Sequence, residues 1–245
     1  VGSEYRTSKR ALGYANKYEK GVYAAVGLHP LHLQALRATD DEYDFETRAE
    51  DFNYDIYEKL AQFDKTVAIG EIGLDYYHLD PNLDPEAVKA GQKKVFYEQL
   101  VLAAQVGLPV IIHCRQAHDD ALKVIKDFRK EYKHLLPDDR PWGVMHCFSG
   151  DEDLAWKYFD MGLIISFTGI ITFSRQWDSL IRRLPAGKYM VETDCPFLTP
   201  EPHRGKRNEP LLVRQVAQKI ADIKNVPMEK VAEITTKTAR DFFRI

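Results

Sequence analysis

Val67-Ala68-Ile69-Gly70-Glu71-Ile72-Gly73-Leu74-Asp75 is the stretch from which the fold is read. Four small or apolar residues run into one carboxylate, and the apolar character resumes after it. A short run of this kind reads as a strand buried on both faces. A carboxylate in such a strand is costly unless something cationic meets it, and a salt bridge to Arg or Lys is the plain reading of Glu71 alone. The pattern recurs, however. Pro109-Val110-Ile111-Ile112-His113, Trp142-Gly143-Val144-Met145-His146 and Tyr189-Met190-Val191-Glu192-Thr193-Asp194 are further short apolar runs ending on metal-ligand types. Four strand ends carrying Glu71, His113, His146 and Asp194 read as one site.

Outward from that stretch, apolar periodicity and turn signals predict alternating elements. Strands are expected at residues 22–27, around 67–75, and at 108–113, 143–147, 163–167 and 188–194. Helices are expected at 8–20, 45–63, 85–106, 118–132, 152–161, 176–184, 210–224 and 227–243, with an acidic loop at 31–44. Strict strand–helix order implies a parallel sheet, doubly wound or closed into a barrel. Chemical residues at the C-terminal ends of many strands, rather than at one crossover, favour the α/β (β/α)₈ TIM barrel. Six strands are clear. Residues 1–3 read as the tail of another, so the barrel is expected to lack its first strand at the N-terminus. No linker or repeat interrupts residues 1–245, which predicts a single domain.

The composition bounds what such a domain can do. Hydrophobic residues make up 44% and charged residues 29%, enough apolar matter for a large core. A net charge of −3 provides no global attraction to nucleic acid, so phosphate binding has to come from a local patch. No stretch reaches the roughly 18–20 apolar residues of a membrane span. Three cysteines without a CxxC spacing argue against a disulfide framework or a Cys-based zinc cluster, and fit a reducing, cytoplasmic location. Cys114, Cys147 and Cys195 each directly follow a proposed ligand. Strand alternation turns them away from the site, where Cys serves as a small buried hydrophobe.

Gly70-Glu71-Ile72-Gly73-Leu74-Asp75, Pro109 to Asp119, Met145-His146-Cys147-Phe148-Ser149-Gly150 and Val191-Glu192-Thr193-Asp194-Cys195-Pro196 resemble the TatD family of metal-dependent deoxyribonucleases. So do Gly27-Leu28-His29-Pro30 and Pro202-His203-Arg204-Gly205-Lys206-Arg207-Asn208-Glu209-Pro210, all in the family's order across nearly the whole chain. The resemblance implies a (β/α)₈ barrel holding one or two divalent ions (Zn, Mn, Ni or Mg). Glu71 would bridge them, His113 and His146 would complete one, and Asp194 would bind the other and help to activate the attacking water. The residues agree independently, because two metals need a shared carboxylate and mixed imidazole–carboxylate ligation suits Zn, Mn or Ni. One feature departs from the family, which opens with a metal-ligating His-x-His pair. None occurs in these 245 residues.

Around the ligands, His29 is expected to touch substrate rather than serve as a buried structural histidine. Arg115 stands at the rim, where a guanidinium suits a phosphate oxygen, with a rim salt bridge as the alternative. His203 and Arg204 are expected to contact substrate beyond the last strand, where barrels often bind phosphate, while Lys206 and Arg207 read as solvated charge. Tyr76 and Tyr77 could stack on a base or simply pack. The expected activity is hydrolysis of DNA phosphodiesters from single-stranded ends by a monomeric, non-membrane enzyme. The alternatives are hydrolysis of another ester or amide, or a non-catalytic barrel that binds nucleic acid or a partner.

Overall fold

Strand and helix alternate through the chain much as the apolar runs require. The computed structural model describes residues 1–39 and 44–245, and the chain divides into two units, Val1–Gly143 and Val144–Ile245. The first unit runs from α1 (Tyr5–Ala15) to β1 (Ala24–Val26), then through β2 (Arg37–Thr39), β3 (Asp44–Glu46) and α2 (Tyr54–Ala61). It continues with β4 (Thr66–Asp75), α3 (Pro85–Val106), β5 (Val110–Arg115) and α4 (His118–Tyr132). β4 lies between β1 and β5 and is parallel to both, while β2 and β3 form an antiparallel ribbon.

β6 (Gly143–Met145) begins at the division, and the second unit continues with α5 (Glu152–Asp160), β7 (Leu163–Phe167), α6 (Asp178–Arg183) and β8 (Tyr189–Val191). α7 (Val213–Lys224) and α8 (Met228–Phe243) close it. β7 runs parallel to β8 and is buried at every position, as a strand covered on both faces must be. Beside the β2–β3 ribbon, the described residues thus hold six strands, β1, β4, β5, β6, β7 and β8, the six that the apolar runs predict.

Local chemistry sets the helix ends. Asp84 caps α3 by accepting from the Glu86 amide, Pro85 occupies its first turn, and Gly107 ends it in a left-handed conformation. α4 buries Ala121, Val124, Ile125 and Phe128, which is helical spacing along one face. Asp119 and Asp120 lie in its first turn and Arg129 and Lys130 in its last, matching the helix dipole.

One expected helix is largely wrong. Residues 45–63 were read as helical throughout, but the chain is strand at Asp44–Glu46 and turns helical only at Tyr54. Thr47 explains the difference, since its hydroxyl donates to the Gln34 carbonyl and accepts from the Leu36 amide, holding this segment extended. Asn53 then accepts from the Ile56 amide and starts α2. The expected loop at 31–44 includes a 3₁₀ turn at Pro30–Leu33 and β2, and residues 40–43 lie outside the described residues. Residues 1–3 are not a strand, yet Gly2 donates to the Ala25 carbonyl and accepts from the Glu71 amide.

Two buried glutamines of α3 fix where the strand ends stop. Gln99 accepts from the Leu28 amide at 2.8 Å and donates to the Leu28 carbonyl at 2.9 Å. Gln92, seven positions earlier on the same face, does the same for the amide and carbonyl of Asp75, both at 2.9 Å. Each amide side chain thereby replaces the strand partner that a backbone end would otherwise lack. The close approach of β5 to β4 depends on glycine. A Cβ at Gly73, where φ is +138°, would lie 2.0 Å from the His113 carbonyl oxygen.

Gln99→Leu leaves both polar groups of Leu28 unpaired in the core. Urea unfolding should show a loss of about 2–6 kcal/mol, from two unsatisfied groups at about 1–3 kcal/mol each. A loss below about 1 kcal/mol would mean that the clamp is not structural.

Candidate metal centre

Glu71 sits where the pairing of β4 with β5 slips, between Ile69 and Ile72, so its side chain leaves the regular ladder. His113 is the fourth residue of β5 and alternates with buried Ile112 and Cys114. His29 follows β1 and caps the 3₁₀ turn behind it. These three converge, with one potential ligand atom from each lying within 4.8 Å of the others. His113 Nδ1 is 3.0 Å from Glu71 Oε1, and His29 Nε2 is 3.5 Å from the same oxygen.

The hydrogen bonds distinguish a ligand from a donor. His113 Nε2 faces Asp75 Oδ2 at 3.1 Å, so it donates there and leaves the Nδ1 lone pair for a cation. That carboxylate–imidazole arrangement is typical of a metal-binding histidine. His29 differs. Its Nδ1 accepts from the Leu31 amide at 3.2 Å, which keeps the proton on Nε2, and the ring stands edge-on to His113 with centroids 4.4 Å apart. His29 is therefore built as a hydrogen-bond donor beside the ligands. Burial and the neighbouring His113 both lower its pKa, which Glu71 only partly offsets, so the neutral donor form is favoured.

Asp75 anchors this half. It is fully buried and accepts four hydrogen bonds, two from the amides of Tyr77 and His78 at 2.9 Å and two from the rings of His78 and His113. Burial alone would raise its pKa, but the bonds from His113 and His78 outweigh that and hold it well below the usual carboxylate range. Neither Asp75 nor His78 is among the site residues that the sequence pattern singles out. A carboxylate at the last position of a buried strand was the available signal.

The second unit repeats the logic. His146 follows β6, and its Nδ1 faces both oxygens of Glu192 at 2.9 and 3.0 Å. Nδ1–H donates to the carboxylate, which assigns the lone pair to Nε2. Glu192 also accepts from the Cys147 amide at 2.7 Å and the Ser166 hydroxyl at 2.8 Å. Burial would raise its pKa, but the His146 charge and these bonds lower it. Cys147 and Asp194 both adopt left-handed backbone conformations, with φ of +44° and +57°. A non-glycine residue holds such a conformation only where its surroundings impose it, and the Glu192 bond does so at Cys147. Glu192 was read as part of a strand and not as a hub.

The other expected contacts fall as follows. Arg115 lies over the Tyr77 ring at 4.0 Å, so the two form one rim element. Tyr76 is tied down by donating to Asp120 at 2.7 Å. His203 lies in the loop after β8, and Arg204 stacks over Phe173 at 4.2 Å and donates to the Thr199 carbonyl, bracing that loop. Cys114 is buried as expected, and burial pushes the Cys147 thiol up to about 12. Cys195 is exposed instead, because the chain has already left β8 and turned into the loop.

The profile of a family described as TatD related DNase matches residues 1–244. The chain is 37% identical to "Uncharacterized metal-dependent hydrolase YabD" of Bacillus subtilis, covering all of this chain and 86% of that one. It is 31% identical to "3'-5' ssDNA/RNA exonuclease TatD" of Erwinia tasmaniensis, covering all of this chain and 87% of the relative. The crystal structure of YJJV, a TatD homologue from Escherichia coli K12, superposes with a TM-score of 0.81 at 27% identity, over all of this chain and 85% of that one. The fold is accordingly the α/β TIM-barrel type. No helix among the described residues is long and apolar enough to cross a membrane.

The hydrogen bonds around His113 have a pH consequence. Burial works to lower the His113 pKa, but hydrogen bonds to Asp75 and Glu71 outweigh it and raise the pKa to about 9. The imidazolium then donates from both nitrogens, and a cation can bind Nδ1 only by displacing a proton. Apparent Mn²⁺ affinity should therefore rise about tenfold per pH unit from pH 6.5 towards 9 and flatten above that. Titration calorimetry in buffers of different ionisation enthalpy should count about one proton released per ion at pH 7. Affinity independent of pH would refute this assignment of His113.

Proposed function

We propose, because the chain belongs to the family of TatD-related DNases and is with it a metal-dependent hydrolase, that its substrate is the phosphodiester bond of single-stranded DNA, cut from an end. The observation that carries the reading is the convergence of Glu71 and His113, the latter backed by buried Asp75. A donor set of one carboxylate and one carboxylate-backed imidazole suits a divalent transition metal. The basic side chains His203 and Arg204 in the loop after β8 suit a phosphate better than a neutral amide. The exonuclease name borne by the Erwinia relative points the same way.

In this reading Glu71 and His113 would hold a metal, and His146 and Asp194 would keep the ligand roles that the family resemblance gives them. A bound divalent cation would supply Lewis-acid stabilisation of phosphodiester charge and lower the pKa of a water. The chain's own groups do the remainder. Asp75 fixes the His113 tautomer, and Glu192 does the same for His146. His29, protonated on Nε2, donates a hydrogen bond to a phosphate oxygen. Asp194 takes the proton of the attacking water. Arg115, steadied on Tyr77, and the loop residues His203 and Arg204 orient the strand. The enzyme works as a monomer.

The test is nucleotide release from a single-stranded DNA oligomer with Mg²⁺, Mn²⁺ or EDTA, with Glu71→Gln and Asp194→Ala alongside. Release should require metal and fall at least about a hundredfold in each variant. Metal-dependent turnover of an amide or lactone with no action on DNA would overturn the substrate and leave the hydrolase standing.

A further inference from the structure

The second unit holds a cavity of about 580 Å³ formed by the loop after β8 and the starts of α7 and α8; His203 is part of its lining, and none of Glu71, His113, His146 and Asp194 is. Its charge runs against that of the chain. The whole protein carries −3, yet Lys206, Arg207 and Arg214 line this cavity against a single carboxylate, Glu209. Among the described residues, none of these three cations is in an ion pair with a carboxylate, unlike Arg175, Arg183, Lys230 and Lys237 of the same unit.

Surface lysines and arginines usually move freely in solvent, but here the backbone that carries them is held. Asn208 donates to the carbonyls of Thr193 and Phe197 at 2.8 and 2.6 Å, and its amide donates to the Pro196 carbonyl at 3.1 Å. The Thr199 hydroxyl donates to the Lys206 carbonyl, closing the loop on itself. Arg214 stands in the first turn of α7. The cations thus start from fixed positions, which reduces the ordering cost of gripping an anion. Met228 and Leu212 add an apolar wall on which a sugar or base can lie.

We propose that this cavity is a second, non-catalytic phosphate site that takes one nucleotide unit, with Lys206, Arg207 and Arg214 on the phosphate. The proposal rests on the nucleic-acid reading above for the identity of the anion. It would give a net-negative chain the local grip on a polyanion that its overall charge withholds.

Binding is measured in EDTA, so that hydrolysis plays no part, by fluorescence anisotropy of a labelled single-stranded DNA oligomer across a salt series. A deoxynucleoside 5′-monophosphate is titrated in parallel, to separate a strand from a released product as the source of the phosphate. The variants are Lys206→Ala/Arg207→Ala/Arg214→Ala, the charge-keeping Lys206→Arg/Arg207→Lys/Arg214→Lys, and Arg10→Ala/Lys20→Ala/Lys130→Ala as a control for net charge. The first should weaken binding about tenfold or more at low salt, with the log–log salt slope shallower by about 0.7, the value for one phosphate contact on a single strand. The other two should stay close to wild type. All the substituted cations are exposed, and thermal melting checks that each variant folds. Loss in either ligand arm supports the site, and unchanged affinity in both arms overturns it. A chain that binds through the cavity but hydrolyses no DNA would sink the catalytic reading alone, whereas hydrolysis with an unaffected triple variant would sink the cavity alone.

Discussion

A carboxylate with no exposure stays ionised only if donors surround it, and Asp75 imposes that requirement on everything near it. Its four donors come from two backbone amides and two imidazoles, so the chain must turn immediately after β4 to bring Tyr77 and His78 back. The same carboxylate sets the orientation of the His113 ring and thereby aims Nδ1 at Glu71. Gln34 then holds the turn from outside, donating to the His78 carbonyl and accepting from the Asp80 amide. Removing the Asp75 carboxylate would disturb a loop and a ligand at once. A change at the exposed Tyr77 ring would not.

Both units meet the same difficulty in the same way. An imidazole at a strand end must present one nitrogen outward while the other is satisfied within, and a buried or half-buried carboxylate does this for each. Asp75 serves His113 from the end of β4, and Glu192 serves His146 from just beyond β8. The carboxylates differ in reach. Asp75 is embedded in a turn of its own backbone, whereas Glu192 draws its extra donors from Cys147 and Ser166 on other strand ends. The left-handed backbone at Cys147 is tolerable because that amide has so strong an acceptor.

The strand ends near His113 and His146 were legible in the sequence because short apolar runs stop abruptly there, whereas β4 runs on past Glu71 to Asp75 and β8 stops at Val191, three residues before Asp194. Helices α3 and α4 were legible to the residue because Asp84-Pro85, Gly107 and the paired acids of α4 are strong local signals. What escaped depends on contacts far apart in the chain. Asp75 meets His113 across 38 positions, and no periodicity reports that. Gln99 lies on the buried face of α3, where helical spacing reports burial and is silent about purpose. The ribbon of β2 and β3 was missed because Thr47 makes it through two backbone partners, overriding the helical character read into residues 45–63.

The spacing of Gln92 and Gln99 has one more consequence. A long amphipathic helix on a parallel sheet can slide by a turn and still bury apolar side chains, so hydrophobicity alone sets its axial position only loosely. Two amides two turns apart, each gripping the backbone of a different strand end, act like the teeth of a key. A slip of one turn would disengage both together. The helix therefore has one permitted seat, and the heights at which β1 and β4 deliver His29 and Asp75 are referred to a common ruler.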